Sequence, residues 1–214
     1  MTIPSLRKEY RMAGLDRADL DPDPVVQFGL WFDEVVRAGL AEPNAMTLAT
    51  ATAAGRPSAR VVLLKELDAS GFVFYTNYDS RKGAELTANP WAALVFYWAP
   101  LERQVRAEGR VERTSREESE AYFRSRPLGA RLGALASEQS RPIPGREVLD
   151  QRVAELEATY AGGEVPLPDC WGGYRLAPDA VEFWQGRPDR LHDRFRYTRG
   201  DQAGQGWTVE RLSP

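Results

Sequence analysis

Histidine, cysteine and lysine are scarce in this chain of 214 residues, which has one His, one Cys and three Lys (Lys8, Lys65 and Lys82). The single Cys170 excludes an internal disulfide framework and any multi-cysteine metal site. With one histidine beside it, a zinc site would have to rest mainly on carboxylates, so no metal is expected. Long apolar runs are missing too. The longest, WAALVFYWAPL, has 11 residues, too few for a spanning helix. The opening MTIPSLRKEYRMAG holds no apolar stretch that could act as a secretory signal, so a cytoplasmic protein with no membrane contact is expected. A net charge of −3, with acidic residues interleaved throughout, disfavours nucleic acid as a partner.

Arginine is abundant: it supplies 25 of the 28 basic residues. A lysine that survives such a bias needs a reason, because a compact point charge on a flexible stem does what a planar fork does not. A chain of this length suits one sizeable domain that buries about 70% of its unfolded surface.

Residues 1–22 are polar, broken by Pro4, Gly14 and Pro22, and read as an arm; residues 23–214 read as a single domain. DPDPVVQFGLWFDEVVRAGL predicts a helix capped by Asp23, with Pro24 at its first position and Val25, Phe28, Phe32, Val35 and Val36 at helical spacing. AMTLATAT, SARVVLLKEL, GFVFYTN, WAALVFYW and ERQVRAEGRVERT predict strands separated by turn signals. TSREESEAYFRSR, LGARLGALAS and REVLDQRVAELEATYAGG predict helices, the first with a capping box and the last closed by Gly162 and Gly163. Strands return in YRLAP, AVEFWQG, RFRYTR and WTVERL. The layout is α+β: a mostly antiparallel β-core, sheet or small barrel, with peripheral helices.

Three stretches carry cations where a bare scaffold does not want them. In FYTNYDSRKGAEL, Ser80 stands at a helix N-cap, and Arg81 and Lys82 fall in the first turn. Cations there oppose the helix dipole by ~0.3–1 kcal/mol, unless an anion occupies the spot or both side chains extend into solvent. In SARVVLLKEL, Arg60 and Lys65 bracket a run of four apolar residues, which invites either a ligand or salt bridges to Glu66 or Asp68. In EAYFRSRP, Tyr122 and Arg126 project from one face if the helix continues, as an anion clamp or an ordinary cation–π pair. Together they form two anion-binding groups, Arg60, Arg81 and Lys82 against Tyr122 and Arg126, with Lys65 between. Two phosphates in one site would suit a phosphorylated cofactor meeting a phosphorylated substrate.

The only histidine sits in FWQGRPDRLHDR, amid Arg187, Arg190 and Arg194. If the stretch is extended, Arg190, His192 and Arg194 alternate onto one face while Asp193 points away. RVVLLK, YTNYDSRK, LERQVRAEGRVER, YFRSRP, SEQS, EVPLPDCWGGYRL, EFWQGRPDRLHDR and the closing ERLSP, in this order, resemble the pyridoxine (pyridoxamine) 5′-phosphate oxidase family. The resemblance runs from about residue 5 to the end.

It implies a split β-barrel homodimer with FMN at the subunit interface. The implied reaction oxidises pyridoxine or pyridoxamine 5′-phosphate to pyridoxal 5′-phosphate by hydride transfer from substrate C4′ to flavin N5, with O2 reduced to H2O2. By position, Arg60, Lys65, Tyr75, Thr76, Arg81 and Lys82 resemble FMN-binding residues, and Gln104, Gln139, Ser140, Trp184 and Arg194 resemble those that complete the site, several from the partner subunit. Lys65, Tyr122 and Arg126 match substrate-phosphate positions. Arg190 and His192 match the pair that confines the pyridine ring, and Arg7 and Tyr10 match arm residues that close over the substrate. Arg194 is the candidate for stabilising the reduced flavin. Where the family usually offers a serine hydroxyl to the substrate phosphate, this chain has Ala130, and the missing bond is worth roughly 0.5–1.5 kcal/mol.

Overall fold

The computed structural model describes Ile3, residues 9–200 and residues 206–214. Arg7 lies outside the described residues.

β7 (Trp171–Gln185) organises the fold. One of its edges pairs with β6 (Arg103–Arg113) along its whole length. The other edge is shared: residues 171–176 pair with β4 (Gly71–Asn77), and residues 180–185 with β8 (Asp193–Arg199). The sheet therefore divides along β7. Beyond β6 lie β5 (Trp91–Trp98), β1 (Ala45–Ala51) and edge strand β2 (Pro57–Leu63); beyond β4 lies β3 (Glu66–Asp68), and beyond β8 lies β9 (Trp207–Leu212). All pairings are antiparallel. The expected α+β split barrel is the observed fold.

YRLAP and AVEFWQG, expected as two strands, are one. Pro178 lacks an N–H for the ladder, and the chain absorbs it at a bulge where Gly109 of β6 opposes Pro178 and Glu108 opposes Ala180. A Cβ on Gly109 would stand 2.0 Å from the Ala177 carbonyl oxygen, so only glycine allows the strands to close there.

α1 (Pro24–Arg37) starts as predicted: the Asp23 carboxylate accepts the Val25 N–H at 2.8 Å, and Pro24 holds the first position. Its buried stripe includes Trp31, and Val36 faces outward instead. Phe28 meets Phe72 and Phe96 at ring separations of 5.1 and 4.8 Å. Each such side chain taken out of water contributes about 1.5–3 kcal/mol. A smaller core of Phe123, Leu132, Val165, Leu167 and Trp171 seats α3 (Arg116–Ser125) and α4 (Leu128–Ala136) beside the sheet. α2 (Arg81–Ala88) follows β4, and α5 (Glu147–Thr159) packs on α4; Tyr160, before Gly162, caps α5.

Two further expectations need correction. SARVVLLKEL, expected as one strand, is two: β2 ends at Leu63 as an edge strand with Val61 68% exposed, and Lys65 lies between it and β3. α3 stops at Ser125, and Arg126 has extended backbone, so Arg126 does not share a helical face with Tyr122.

The described part of the arm lies against the sheet. Arg11 and Met12 donate backbone N–H groups to the Glu102 carboxylate at 2.8 and 3.1 Å. Leu15 is buried and donates its N–H to Asp193 at 3.0 Å.

Candidate active site

Between β2, the end of β4 and the α3–α4 turn lies a cleft of about 540 Å3. Arg60, Lys65, Tyr75, Thr76, Lys82, Tyr122, Arg126, Ala130 and Gln139 line it, with Val61, Val62, Leu63, Pro127 and Trp171. Except for Arg81, the two cationic groups expected from sequence thus share one space. A second groove of about 470 Å3, around Ala49, Trp91 and Ala92, has only Glu108 and Asp179 as charged lining residues and no such chemistry.

At one end, Ser80 caps α2 by accepting the Gly83 N–H at 3.3 Å. Lys82 bends back across the cap: its Nζ donates to Ser80 Oγ at 3.2 Å and to Gln139 Oε1 at 2.6 Å. Thr76 donates to the same Gln139 oxygen at 3.1 Å. Burial and the neighbouring Arg60 push the Lys82 ammonium down to about 8. Arg81 does not line the cleft. It lies on the rim, paired with Glu85 at 2.9 Å, and its backbone N–H reaches Ser140 Oγ at 3.3 Å.

At the other end, β4 and β7 hold an aromatic stack. Tyr75 stacks on Tyr122 at 3.9 Å and lies nearly parallel to Trp171 at 5.5 Å. Tyr75 opposes Gly173 in the ladder, where a Cβ would stand 2.8 Å from its ring, so the WGGY glycine makes room for the stack. Burial pushes the Tyr75 phenol up to about 12, with Glu66 and Glu118 adding to it. The Arg126 guanidinium packs over Trp171 rather than Tyr122, at 4.7 Å, and its Nη1 is buried with no hydrogen-bond partner. No side chain caps the neighbouring N-terminus of α4.

This set fits a phosphorylated ligand. Among the described residues no carboxylate lies within 4.0 Å of the side-chain nitrogens of Lys65, Lys82 or Arg126, although Glu66 and Asp68 are near in sequence. A buried guanidinium nitrogen without an acceptor from the protein, among three further cations, is suited to an anion.

The remaining predicted residues form a second cluster, at the far end of β7. Trp184 meets His192 at 4.6 Å, and Tyr10 packs edge-on against both rings at 5.6 and 5.5 Å. Gln104 lies opposite Trp184 on β6. Arg194 grips the buried Glu182 through two bonds of 2.9 and 3.2 Å, and Arg106 joins the same carboxylate at 3.0 Å. The Arg187 N–H donates to His192 Nδ1 at 3.1 Å. Burial, reinforced by Arg190, lowers the His192 imidazole below its ordinary 6.5, against the opposing pull of Asp193. Asp193 points away, as expected, to Arg187 and Arg211.

The stretch is not extended throughout. Asp189 and Arg190 have φ of 54° and 63°, so the alternation begins only after the turn, and Arg190 does not share a strand face with His192 and Arg194. Trp171 and Trp184 are separated by 13 strand positions, on the order of 40 Å of strand. One chain alone does not bring the two clusters to a single cleft.

Sequence reasoning missed Trp171 and Glu85. The WGGY glycines signal a close approach that frames Trp171. Glu85 is an acid four residues after Arg81, an ordinary helical pair by sequence.

Residues 32–160 match the family described as pyridoxamine 5′-phosphate oxidase, and residues 171–214 match the pyridoxine 5′-phosphate oxidase C-terminal dimerisation region. The chain belongs to the pyridoxine/pyridoxamine 5′-phosphate oxidase family. It is thereby an oxidoreductase. Proteins named pyridoxine/pyridoxamine 5′-phosphate oxidase from Burkholderia vietnamiensis and Paraburkholderia phymatum are each 60% identical to it, over 100% of this chain and 99% of theirs. Among solved structures, PhzG from Burkholderia lata, in complex with tetrahydrophenazine-1-carboxylic acid, superposes with a TM-score of 0.87 at 34% identity, covering 95% of this chain and 99% of that one. An FMN-binding, pyridoxamine 5′-phosphate oxidase-related protein from Nostoc punctiforme shares the fold, with a TM-score of 0.72 at 20% identity over 91% of this chain and all of that one. The matched dimerisation region contains Trp184, His192 and Arg194 of the second cluster, while Tyr10, Gln104 and Arg106 lie outside it.

Proposed function

We propose that the protein is an FMN-dependent oxidase that converts pyridoxamine 5′-phosphate and pyridoxine 5′-phosphate to pyridoxal 5′-phosphate, with O2 reduced to H2O2. The observation that carries this reading is the one cleft holding Arg60 and Lys82 at one end and Tyr122 and Arg126 at the other. Arg60, Lys82, Thr76 and Gln139, with Arg81 and Ser140 at the rim, would hold the FMN phosphate and ribityl chain. Lys65, Tyr122 and Arg126 would hold the substrate phosphate. FMN, when bound, would supply the two-electron acceptor for the hydride of substrate C4′ and the route for those electrons to O2.

The protein's own groups hold and orient. A second copy would bring its Gln104, Trp184, Arg190, His192 and Arg194 to this cleft, a role supported by the match of residues 171–214 to a dimerisation region. His192 accepts at Nδ1 from Arg187, which leaves the proton of the neutral ring on Nε2, a donor for the oxygen substituent of the pyridine. Arg194 is oriented by both Glu182 oxygens, and Arg106, itself paired with Glu108 at 3.4 Å, shares that carboxylate. Held in this way, the Arg194 guanidinium would favour the anionic reduced flavin ring. Tyr10 and, by position, Arg7 would close the arm over the substrate and shut out water.

The test is turnover. Purified protein with pyridoxine 5′-phosphate and O2 should yield H2O2 and the aldehyde absorbance together. Tight binding of both ligands without turnover would make it a carrier.

A further inference from the structure

We propose that Glu85 is the positioning residue of the Arg60–Lys82 end of the cleft: its buried carboxylate ties Arg60 of β2 to Arg81 of α2 and sets the Arg60 guanidinium for an anion. The inference rests on the FMN reading above.

A carboxylate bonded to the arginine of an anion site works against that site, so its presence needs a cause. Glu85 is 5% exposed. Its Oε2 accepts from Thr50 Oγ1 at 2.5 Å, Ser58 Oγ at 2.5 Å and Arg60 Nη2 at 3.3 Å, and its Oε1 accepts from Arg81 Nε at 2.9 Å. The Arg60 nitrogens also donate to the same two hydroxyls, Nη1 to Thr50 at 2.6 Å and Nη2 to Ser58 at 2.5 Å, and Nη1 donates to the Leu48 carbonyl at 3.1 Å. Each hydroxyl accepts from Arg60 and passes its own proton toward Glu85. The relay thus runs in one direction and ends on an acceptor-only group. Burial pushes the Glu85 carboxyl up, but bonds from Ser58, Thr50 and Arg81 outweigh it and bring it down to about 2, so the group is ionised. Arg60 is a single fork locked by four acceptors, Leu48, Thr50, Ser58 and Glu85 itself, and Glu85 aligns the two hydroxyls.

The sign of one substitution separates positioning from mere charge balance. Flavin fluorescence titrations would compare FMN with riboflavin, which lacks the phosphate, on wild type, Glu85→Gln and Ser58→Ala. Positioning predicts FMN binding about tenfold weaker in Glu85→Gln, with riboflavin binding unchanged. FMN binding that is equal or tighter would make Glu85 a counter-ion and overturn the proposal. So would an equal loss for both flavins, which marks general loosening. If Glu85→Gln does not fold, Ser58→Ala decides by the same pattern at about threefold. A wild type that binds FMN no tighter than riboflavin would instead overturn the FMN reading itself, and the proposal with it.

Discussion

The Arg126 guanidinium lies 4.7 Å from the centre of the Trp171 ring, with one terminal nitrogen buried and unpartnered. The indole face holds the cation away from water, and the open donor waits for an acceptor. A hydrogen bond between charged groups is worth about 1.5–3 kcal/mol, so Arg126→Leu should raise KM for pyridoxine 5′-phosphate roughly 10- to 150-fold. FMN affinity should stay unchanged. Steady-state kinetics with a parallel flavin titration checks both, and an equal loss of FMN would place Arg126 at the wrong phosphate.

Lys82 makes flavin binding pH-dependent. Without ligand its ammonium is pushed down to about 8 by burial and by Arg60. A bound phosphate favours the charged form, so binding takes up a proton once the pH exceeds about 8. FMN affinity should fall above that pH, by at most tenfold per pH unit. The unliganded protein should show the opposite trend: the cost of charged Lys82 is full below about 8 and is relieved between 8 and its ordinary 10.5. Lys82→Met should flatten both profiles, as followed by titration and thermal melts across pH 7–10.

His192 sets an acid limb. Its folded value lies below 6.5, and protonation would put a hydrogen on the Nδ1 that accepts from Arg187. kcat/KM should therefore decline only at pH under 6.5, and His192→Asn should lose that limb. The substrate phosphate also titrates near pH 6, and the variant separates the two contributions.

Ala130 lines the cleft beside Arg126 and Pro127. Ala130→Ser should lower KM for the phosphorylated substrate by up to about tenfold through one added bond of ~0.5–1.5 kcal/mol. Unchanged KM would mean that backbone N–H groups at the uncapped start of α4 already serve the phosphate.

The elements of this fold are local events, and most were legible. Asp23–Pro24, Ser80 and Ser115–Glu118 are capping chemistry that acts within a few residues, and each helix starts where its cap stands. The strand break expected at Pro178 was not found, because the compensation lies across the sheet, at Gly109 on β6. The joint lining of one cleft by Lys82, Tyr122 and Arg126 followed from treating misplaced cations as anion seekers. Glu85 was not legible: its hydroxyl partners Thr50 and Ser58 come from two other strands. Nor was the separation of His192 from the cleft within one chain, which depends on the length of β7.

On the proposed function, a phosphorylated vitamin ring and a flavin lie together in this cleft. Anaerobic addition of pyridoxamine 5′-phosphate to the FMN-loaded protein tests it most directly, read as the flavin absorbance spectrum. The flavin bands should bleach with pyridoxal 5′-phosphate formed in equal amount, and should recover when O2 is admitted. Flavin bands that persist with saturating substrate would contradict it.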